Sequence, residues 1–234
     1  GEMSVNDLSR VLDVSLSTLR KQLAVMQSKG LVIRTYGGVM PVNRVPDETF
    51  ESKLHKNMSE KRRIAVKART MINSVESISL GSGTTVFELS NLLADIPHGI
   101  IYTNSMQAAD YLARCAGLEV HICSGVIRSH TGTIIGNEAA AYFKQLPQVD
   151  YAFIGCDAID SSGDVYSENM AVALVEKTVL LNAKHKYILC DSSKIGKTAV
   201  AHIVNLRECD GIVTANLENG IAENFKFLTE VIYA

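Results

Sequence analysis

From residue 77 onward, short β-branched and aliphatic runs at 78–80, 100–103, 120–123, 151–154, 187–190 and 212–214 alternate with segments whose apolar positions recur every three or four residues. Strands separated by helices predict an α/β fold, a mainly parallel sheet with flanking helices, because parallel neighbours need long crossover connections. Those crossovers should be right-handed. Ligands of such sheets bind beyond the carboxyl ends of the strands, so the residues directly after each run are the candidates for chemistry.

The first forty residues have a different rhythm. Ser4 precedes a short helical pattern, with Asp7 three residues on as a weaker capping box, and Val5, Leu8, Val11 and Leu12 line one face. After a turn at Asp13 and Val14, Ser15 is placed to cap a second helix running to Lys29, where Gly30 supplies a left-handed stop. Leu16, Leu19, Leu23 and Met26 are expected to face inward. Ser17, Thr18, Lys21 and Gln22 then occupy the opposite face, with Arg20 flanking them. A hydroxyl- and cation-bearing second helix after a tight turn matches the geometry of a recognition helix in a DNA major groove. A plain helical hairpin with a solvated polar face fits that spacing equally well. The balance shifts at 31–36, a β-type run ending in Gly37 and Gly38 and followed by Val39 and Met40, which reads as a wing hairpin. Val32, Arg34 and Tyr36 share one strand face, which puts a cation and a hydroxyl together for phosphate contacts. The stretch from Pro41 to Asp47 holds two prolines and no periodicity, and marks a boundary. The expected organisation is a DNA-binding head at 1–43, a linker and connecting segment at 44–58, and an α/β body at 59–234.

Charge supports the division. Residues 1–45 carry six basic against three acidic side chains, a net +3, which leaves 17 basic and 22 acidic residues, a net −5, in the remainder. A basic head on an acidic body suits a nucleic-acid reader. No apolar run reaches the ~18 residues of a membrane span and no secretory leader pattern opens the sequence, so a cytoplasmic protein without membrane contact is expected. The five cysteines, Cys115, Cys123, Cys156, Cys190 and Cys209, are odd in number and lie mostly in apolar runs, which predicts reduced core thiols and no metal site.

At the strand ends, Gly81-Ser82-Gly83-Thr84-Thr85 opens a helical pattern through Val86, Leu89, Leu92 and Leu93. Flexible glycines, free amides and hydroxyls at a helix N-terminus form an anion site suited to a phosphate; a simple strand-to-helix turn is the competing reading. No Lys follows the second glycine, so this is not a Walker loop. Thr103-Asn104-Ser105 again precedes a helix, and Ser105 serves equally as a cap or a ligand donor. Ser124-Gly125 is followed by Arg128 and His130. Asp157 and Asp160 could orient sugar hydroxyls or belong to a solvated turn. Lys194, after Asp191-Ser192-Ser193, is a cation placed for an anionic ligand or a solvated loop lysine.

In order and spacing, Val14-Ser15, Thr18-Leu19-Arg20-Lys21, Gly30, Arg34 and Gly37-Gly38 resemble the head of the DeoR family of bacterial transcriptional regulators. Tyr36 stands where the family has His and Gln22 where it has Asp. The family head carries a further helix upstream, so the resemblance implies a truncated winged helix-turn-helix, the sequence beginning inside that domain. Glu48-Thr49-Phe50, Lys53, Asn57 and Lys61 resemble the family's connecting helix, with Lys53 in place of Arg; a generic amphipathic helix capped by Ser59 is the alternative. The body resembles the DeoR sensor, which reads Asp-Ser-Gly-Thr-Thr, Thr-Asn, Gly-Gly, Gly-Ala-Asp-Gly-Ile and Asp-Ser-Lys, with departures here at Gly81, Ser124 and Ala158. That sensor fold is similar to phosphosugar isomerases.

The resemblance implies a homo-oligomeric repressor, a dimer or tetramer, of a sugar-catabolism operon. Ser15, Ser17, Thr18, Arg20, Lys21, Gln22, Arg34 and Tyr36 would contact double-stranded operator DNA. A phosphorylated sugar would bind at Gly81, Ser82, Gly83, Thr84, Thr85, Thr103, Asn104, Ser105, Gly125, Asp157 and Lys194, with no cofactor and no catalytic residue. The alternative is a phosphosugar isomerase using Glu168 or Asp157 as base. Glu138 and Glu168 sit where helical patterns begin, a place the helix dipole gives to carboxylates on structural grounds.

Overall fold

The computed structural model describes residues 3–12, 14–28, 32–34, 38–41, 48–72 and 77–234. Its contacts divide the chain into two units, Gly1–Glu48 and Thr49–Ala234.

In the first unit, β1 (Met3–Ser4), α1 (Val5–Leu12), α2 (Leu16–Ser28), β2 (Val32–Arg34) and β3 (Gly38–Pro41) follow one another, and the strands pair antiparallel in the order β1-β3-β2. Ser4 Oγ accepts the Asp7 amide at 3.0 Å, which forms the capping half of the expected box, and it donates to the Asp7 carboxylate at 2.6 Å. Ser15 Oγ accepts the Thr18 amide at 3.2 Å and starts α2. Leu19, Leu23 and Val39 form a small core against Val5, Leu8 and Val14. Leu16 and Met26, expected inside, are 37% and 39% exposed, and Val11 and Leu12 are exposed as well. The reason is length: α1 has 8 residues, about 12 Å at 1.5 Å per residue, too short to cover a stripe from Leu16 to Met26. Asp13, the helix stop at Lys29 and Gly30, Tyr36 and Gly37 of the wing, and linker residues 42–47 lie outside the described residues.

The second unit runs α3 (Phe50–His55), α4 (Met58–Met71), β4 (Ser77–Leu80), α5 (Thr84–Leu92), β5 (Gly99–Thr103), α6 (Met106–Leu112), β6 (Leu118–Ile122), β7 (Val126–Arg128), β8 (Thr133–Ile135), α7 (Asn137–Gln145), β9 (Val149–Gly155), β10 (Ala158–Ile159), β11 (Asp164–Ser167), α8 (Met170–Leu181), β12 (Ala183–Leu189), β13 (Ala201–Asn205), β14 (Gly211–Thr214), α9 (Asn219–Leu228) and β15 (Glu230–Tyr233). Seven strands pair in parallel in the order β15-β14-β12-β9-β4-β5-β6. Each of the six runs named from the sequence supplies a strand of this sheet, those at 120–123 and 187–190 running one residue past the strand end. The seventh strand, β15, was not anticipated, because its four residues follow α9 after a single residue, Thr229, without the turn signals that bound a strand. A β7–β8 hairpin and a small antiparallel sheet, β10-β11-β13, decorate the carboxyl end.

Period-two alternation splits the core. In β9, Ala152 and Ile154 pack into one cluster with Phe143 of α7 and Val175 and Val179 of α8. Phe153 faces the other cluster, with Ile64 and Ala68 of α4 and Val86 and Leu89 of α5. Helices thus cover both faces, as buried parallel strands require. The alternative of a helix capped by Ser59 does not hold: α4 opens at Met58 with Asn57 in the capping position, two residues earlier, which leaves Ser59 inside the helix. The cysteines are unpaired, with Cys123, Cys190 and Cys209 buried and Cys115 and Cys156 half-buried. Among the described residues no helix is long and apolar enough to cross a membrane.

Candidate functional site

The strand order fixes where a site can form. The chain builds β4, β5 and β6 in one direction and then returns to place β9 on the other side of β4. This reversal makes the carboxyl ends of β4 and β9 a topological switch point, the usual place of a ligand crevice in an open parallel sheet. The loops after β5, β4, β9 and β12 emerge side by side on that edge, which brings Thr103, Asn104 and Ser105, then 81–85, then Asp157, then Lys194 to one rim. Gly125, after β6, closes its far end. It has φ +142, and a Cβ there would stand 2.6 Å from the Ile135 carbonyl, so the close return of the β7–β8 hairpin requires glycine.

Within the rim the donors divide into two sets. Ser82 faces inward: its amide and hydroxyl donate to Oε1 of Glu176 at 2.9 and 2.7 Å. Asn104 Nδ2 donates to the same oxygen and to the Ile134 carbonyl, each at 3.4 Å. Glu176, from the middle of α8, therefore ties the ends of β4 and β5 together beneath the crevice. Ser105 Oγ accepts the Ala108 amide and caps α6, while its own amide donates to Thr103 Oγ1. The outward set is the first turn of α5, where Gly83 holds φ 106 and no side chain caps the helix. First-turn amides without a side-chain cap, the dipole behind them and the two buried threonines Thr84 and Thr85 stand together at this helix start, the kind of end that suits an anion.

Glu176 was missed by the sequence reading, although an acid on the apolar stripe of Val172, Val175 and Val179 was a signal. It is 2% exposed. Burial pushes its carboxyl up to about 7, and the bonds from Ser82 and Asn104 pull it back only in part. Its second oxygen, Oε2, and Asn104 Oδ1 have no hydrogen-bond partner among the described residues. A Cβ on Gly81 would lie 2.0 Å from that Oε2. The carboxyl from α8 thus fills the space of a side chain at 81, which accounts for glycine where the family pattern has Asp.

The other half of the rim is charged. Asp157 Oδ1 accepts Lys53 Nζ at 3.1 Å, and Oδ2 accepts the Ser167 hydroxyl at 3.0 Å and the Glu168 amide at 2.9 Å. Burial works against its ionisation, yet Lys53 and the Glu168 amide hold it below the usual carboxylate range. Lys53 is desolvated in turn, but Asp157 and Glu168 raise its pKa. Asp160 organises the β10–β11 turn by accepting the Ser162 and Asp164 amides and the Tyr166 hydroxyl. Lys194, in the 3-10 turn Ser192–Lys194, is half-buried and close enough for its charge to act on Asp157 and Lys61. Its ammonium has no hydrogen-bond partner among the described residues. Glu168 is largely exposed and pairs with Lys53 at 3.4 Å. Glu138 lies in the first turn of α7.

In the first unit, Ser15 just before α2 and Ser17, Thr18, Arg20, Lys21 and Gln22 on its N-terminal half are all exposed. The Ser15 hydroxyl lies 2.9 Å from those of Ser17 and Thr18. Arg34 stands in β2 opposite Val39 of β3; Tyr36 is outside the described residues.

Comparison with known proteins agrees with both halves. Residues 1–45 match the DeoR-like helix-turn-helix domain, and residues 56–216 match the DeoR C terminal sensor domain. The HTH-type transcriptional repressor CsqR of Escherichia coli K12 is 30% identical over 217 residues, covering 93% of this chain and 83% of that protein. A putative aga operon transcriptional repressor of E. coli O157:H7 is 29% identical, covering 91% and 80%. The L-fucose operon activator of Haemophilus influenzae is 28% identical, covering 91% and 85%. Among solved structures, a D-ribose-5-phosphate isomerase in complex with phospho-erythronic acid has a TM-score of 0.45 at 19% identity, and the match covers 59% of this chain and about half, 54%, of that one. With a basic, exposed second helix at its head and an α/β body matching the sensor over most of its length, the chain belongs to the DeoR family of DNA-binding transcriptional regulators.

Proposed function

We propose that the protein is a repressor of a sugar-catabolism operon whose hold on DNA is controlled by a phosphorylated sugar bound in the crevice between β4 and β9. The observation that carries this reading is the uncapped first turn of α5 opening on a topological switch point, with the Lys194 ammonium on the same rim. Amides of Gly83, Thr84 and Thr85, the two threonine hydroxyls and Lys194 would take the phosphate. Thr103, Asn104, Ser105, Gly125 and Asp157 would shape the rest of the pocket, with Gly81 and Ser82 as its fixed base. Ser15, Ser17, Thr18, Arg20, Lys21, Gln22, Arg34 and Tyr36 would meet the operator. The relatives' names, two repressors and an activator of an L-fucose operon, support sugar control.

The protein would act in the cytoplasm as a dimer or tetramer, with paired heads set to the half-site spacing of an operator. Effector binding then weakens DNA binding by favouring another spacing, which requires a coupling of about 1–3 kcal/mol. Binding without turnover is proposed. The acceptor positions of Asp157 are committed to Lys53, Ser167 and Glu168, and Glu168 lies exposed beside Lys53, a poor setting for a base that must reach a sugar carbon.

The test is a thermal-shift screen of the whole chain against pentose and hexose phosphates and their unphosphorylated parents. Phosphorylated ligands should raise the melting temperature and the parents should not. Thr84→Val combined with Lys194→Ala should abolish the shift. Arg20→Ala or Lys21→Ala should leave the shift intact and flatten the salt dependence of DNA binding, each by roughly one phosphate contact. Detectable isomerisation of the bound sugar would favour the enzyme reading instead.

A further inference from the structure

The two helices that lead from the head into the sheet domain are fastened to the same rim at three successive points. In α3, Lys53 Nζ lies between Asp157 Oδ1 and Glu168 Oε2, at 3.1 and 3.4 Å. At the joint with α4, Asn57 Nδ2 donates to Asp191 Oδ1 at 3.0 Å. In the first turn of α4, both oxygens of Glu60 are taken by Ser192, from its amide at 2.6 Å and its hydroxyl at 3.0 Å. Lys61 is buried and donates to the Lys53 carbonyl, which locks the two helices to each other. Apart from Glu168, which follows β11, the anchors on the rim side lie in the loops after β9 and β12, the loops that carry Asp157 and Lys194.

The joint is built to be held from outside. Asn57 has φ 53, the one positive φ outside glycine among the described residues. It stands in the capping position of α4 yet makes no capping bond, and its side chain is turned instead to Asp191, to which Nδ2 donates. Asparagine tolerates the left-handed region better than most non-glycine residues, and the bond to Asp191 holds it there. The grip is also electrostatic: Lys53, Lys61 and Lys194 interleave with Asp157, Glu168, Asp191 and Glu60. An anion arriving at Lys194 and the α5 amides enters this cluster and competes with Asp157 and Glu168 for the lysines.

We propose that α3 and α4 form the relay between the effector crevice and the head, and that Lys53, Asn57 and Glu60 are positioning residues whose grip on the β9 and β12 loops changes when an anion occupies the crevice. The relay rests on the phosphosugar reading above. Allosteric coupling needs an element that both sites bias, and α3 qualifies, being joined in sequence to the head and by side chains to the rim.

The test is hydrogen exchange on the full chain, wild type and Asn57→Gly/Glu60→Ala, with and without D-ribose 5-phosphate, D-glucose 6-phosphate or inorganic phosphate, alongside the melting temperature. A probe that raises the melting temperature should slow exchange at 81–86 and alter it several-fold at 50–61, and the double variant should keep the first change and lose the second. A merely structural role for Asn57 and Glu60 would lower the variant's melting temperature and leave the probe-induced change at 50–56 as in wild type; that outcome overturns the relay. So does a probe that stabilises the protein and slows 81–86 with no change at 50–61, while the phosphate reading stands. If no probe alters melting or exchange, the phosphate reading fails and the relay falls with it.

Discussion

Burial of a carboxyl that keeps one oxygen unpartnered gives the Glu176 site a measurable pH signature. The folded state holds this proton up to about pH 7, whereas the ordinary value is 4.5. The native state therefore binds the extra proton, and its stabilisation is full below 4.5 and lost as pH rises through 7. The urea midpoint of the wild type should fall between about pH 5 and about pH 8 by more than that of Glu176→Gln, which cannot ionise. Parallel falls in the two proteins would show a normal carboxyl. Gly81 provides a second measurement. Gly81→Ala drives a methyl into Glu176 Oε2 and, at 3.0 Å, against Ile154 Cγ2. It should cost about 1–3 kcal/mol, the usual price of overpacking. In the Glu176→Ala background the cost should shrink, a non-additivity that a double-mutant cycle reads directly. An acid in an otherwise apolar helical stripe marked Glu176 as unusual in the sequence. Its partners Ser82 and Asn104 lie 94 and 72 residues away, and only sheet topology brings them within reach.

The α3–α4 joint shows a local rule overridden by tertiary contact. By type Ser59 and Asn57 are equally good capping residues, but Asn57 takes the position with its side chain turned to Asp191 and no capping bond formed. Replacing Asn57 by Gly or by Ala removes that bond in both cases, and only Gly accepts φ 53 without strain. Asn57→Gly should therefore be more stable than Asn57→Ala by about 1 kcal/mol in urea denaturation. Equal stabilities would mean that the joint relaxes out of the left-handed region. In α2 the helix itself follows from Ser15 and the apolar repeat, while its buried positions do not. How much of a stripe is covered depends on the length of the partner, and α1 covers Leu19 and Leu23 but not Leu16 or Met26.

Taken as a chain, the protein couples a head whose core among the described residues is Leu19, Leu23 and Val39 to a body with two large apolar clusters. Buried apolar area sets stability, so the head should lose amide protection at lower denaturant than the sheet. Hydrogen exchange in a urea series reads this, and loss of protection in both units at one midpoint would contradict it. The amino-acid order by itself determined the mainly parallel sheet with its six runs, the head with its capped helices, and the loops that bear hydroxyls, glycines and cations. Those features are local: period, capping residues and turn residues act over a few positions. Tertiary structure alone decided that β9 returns beside β4, which converts separate loops into one crevice. It also decided which donors face the crevice and which are claimed from within, because a carboxyl on α8 and a lysine on α3 reach them from remote parts of the chain. Strand order and long-range side-chain contacts depend on how all the layers pack, and no window of sequence contains that information.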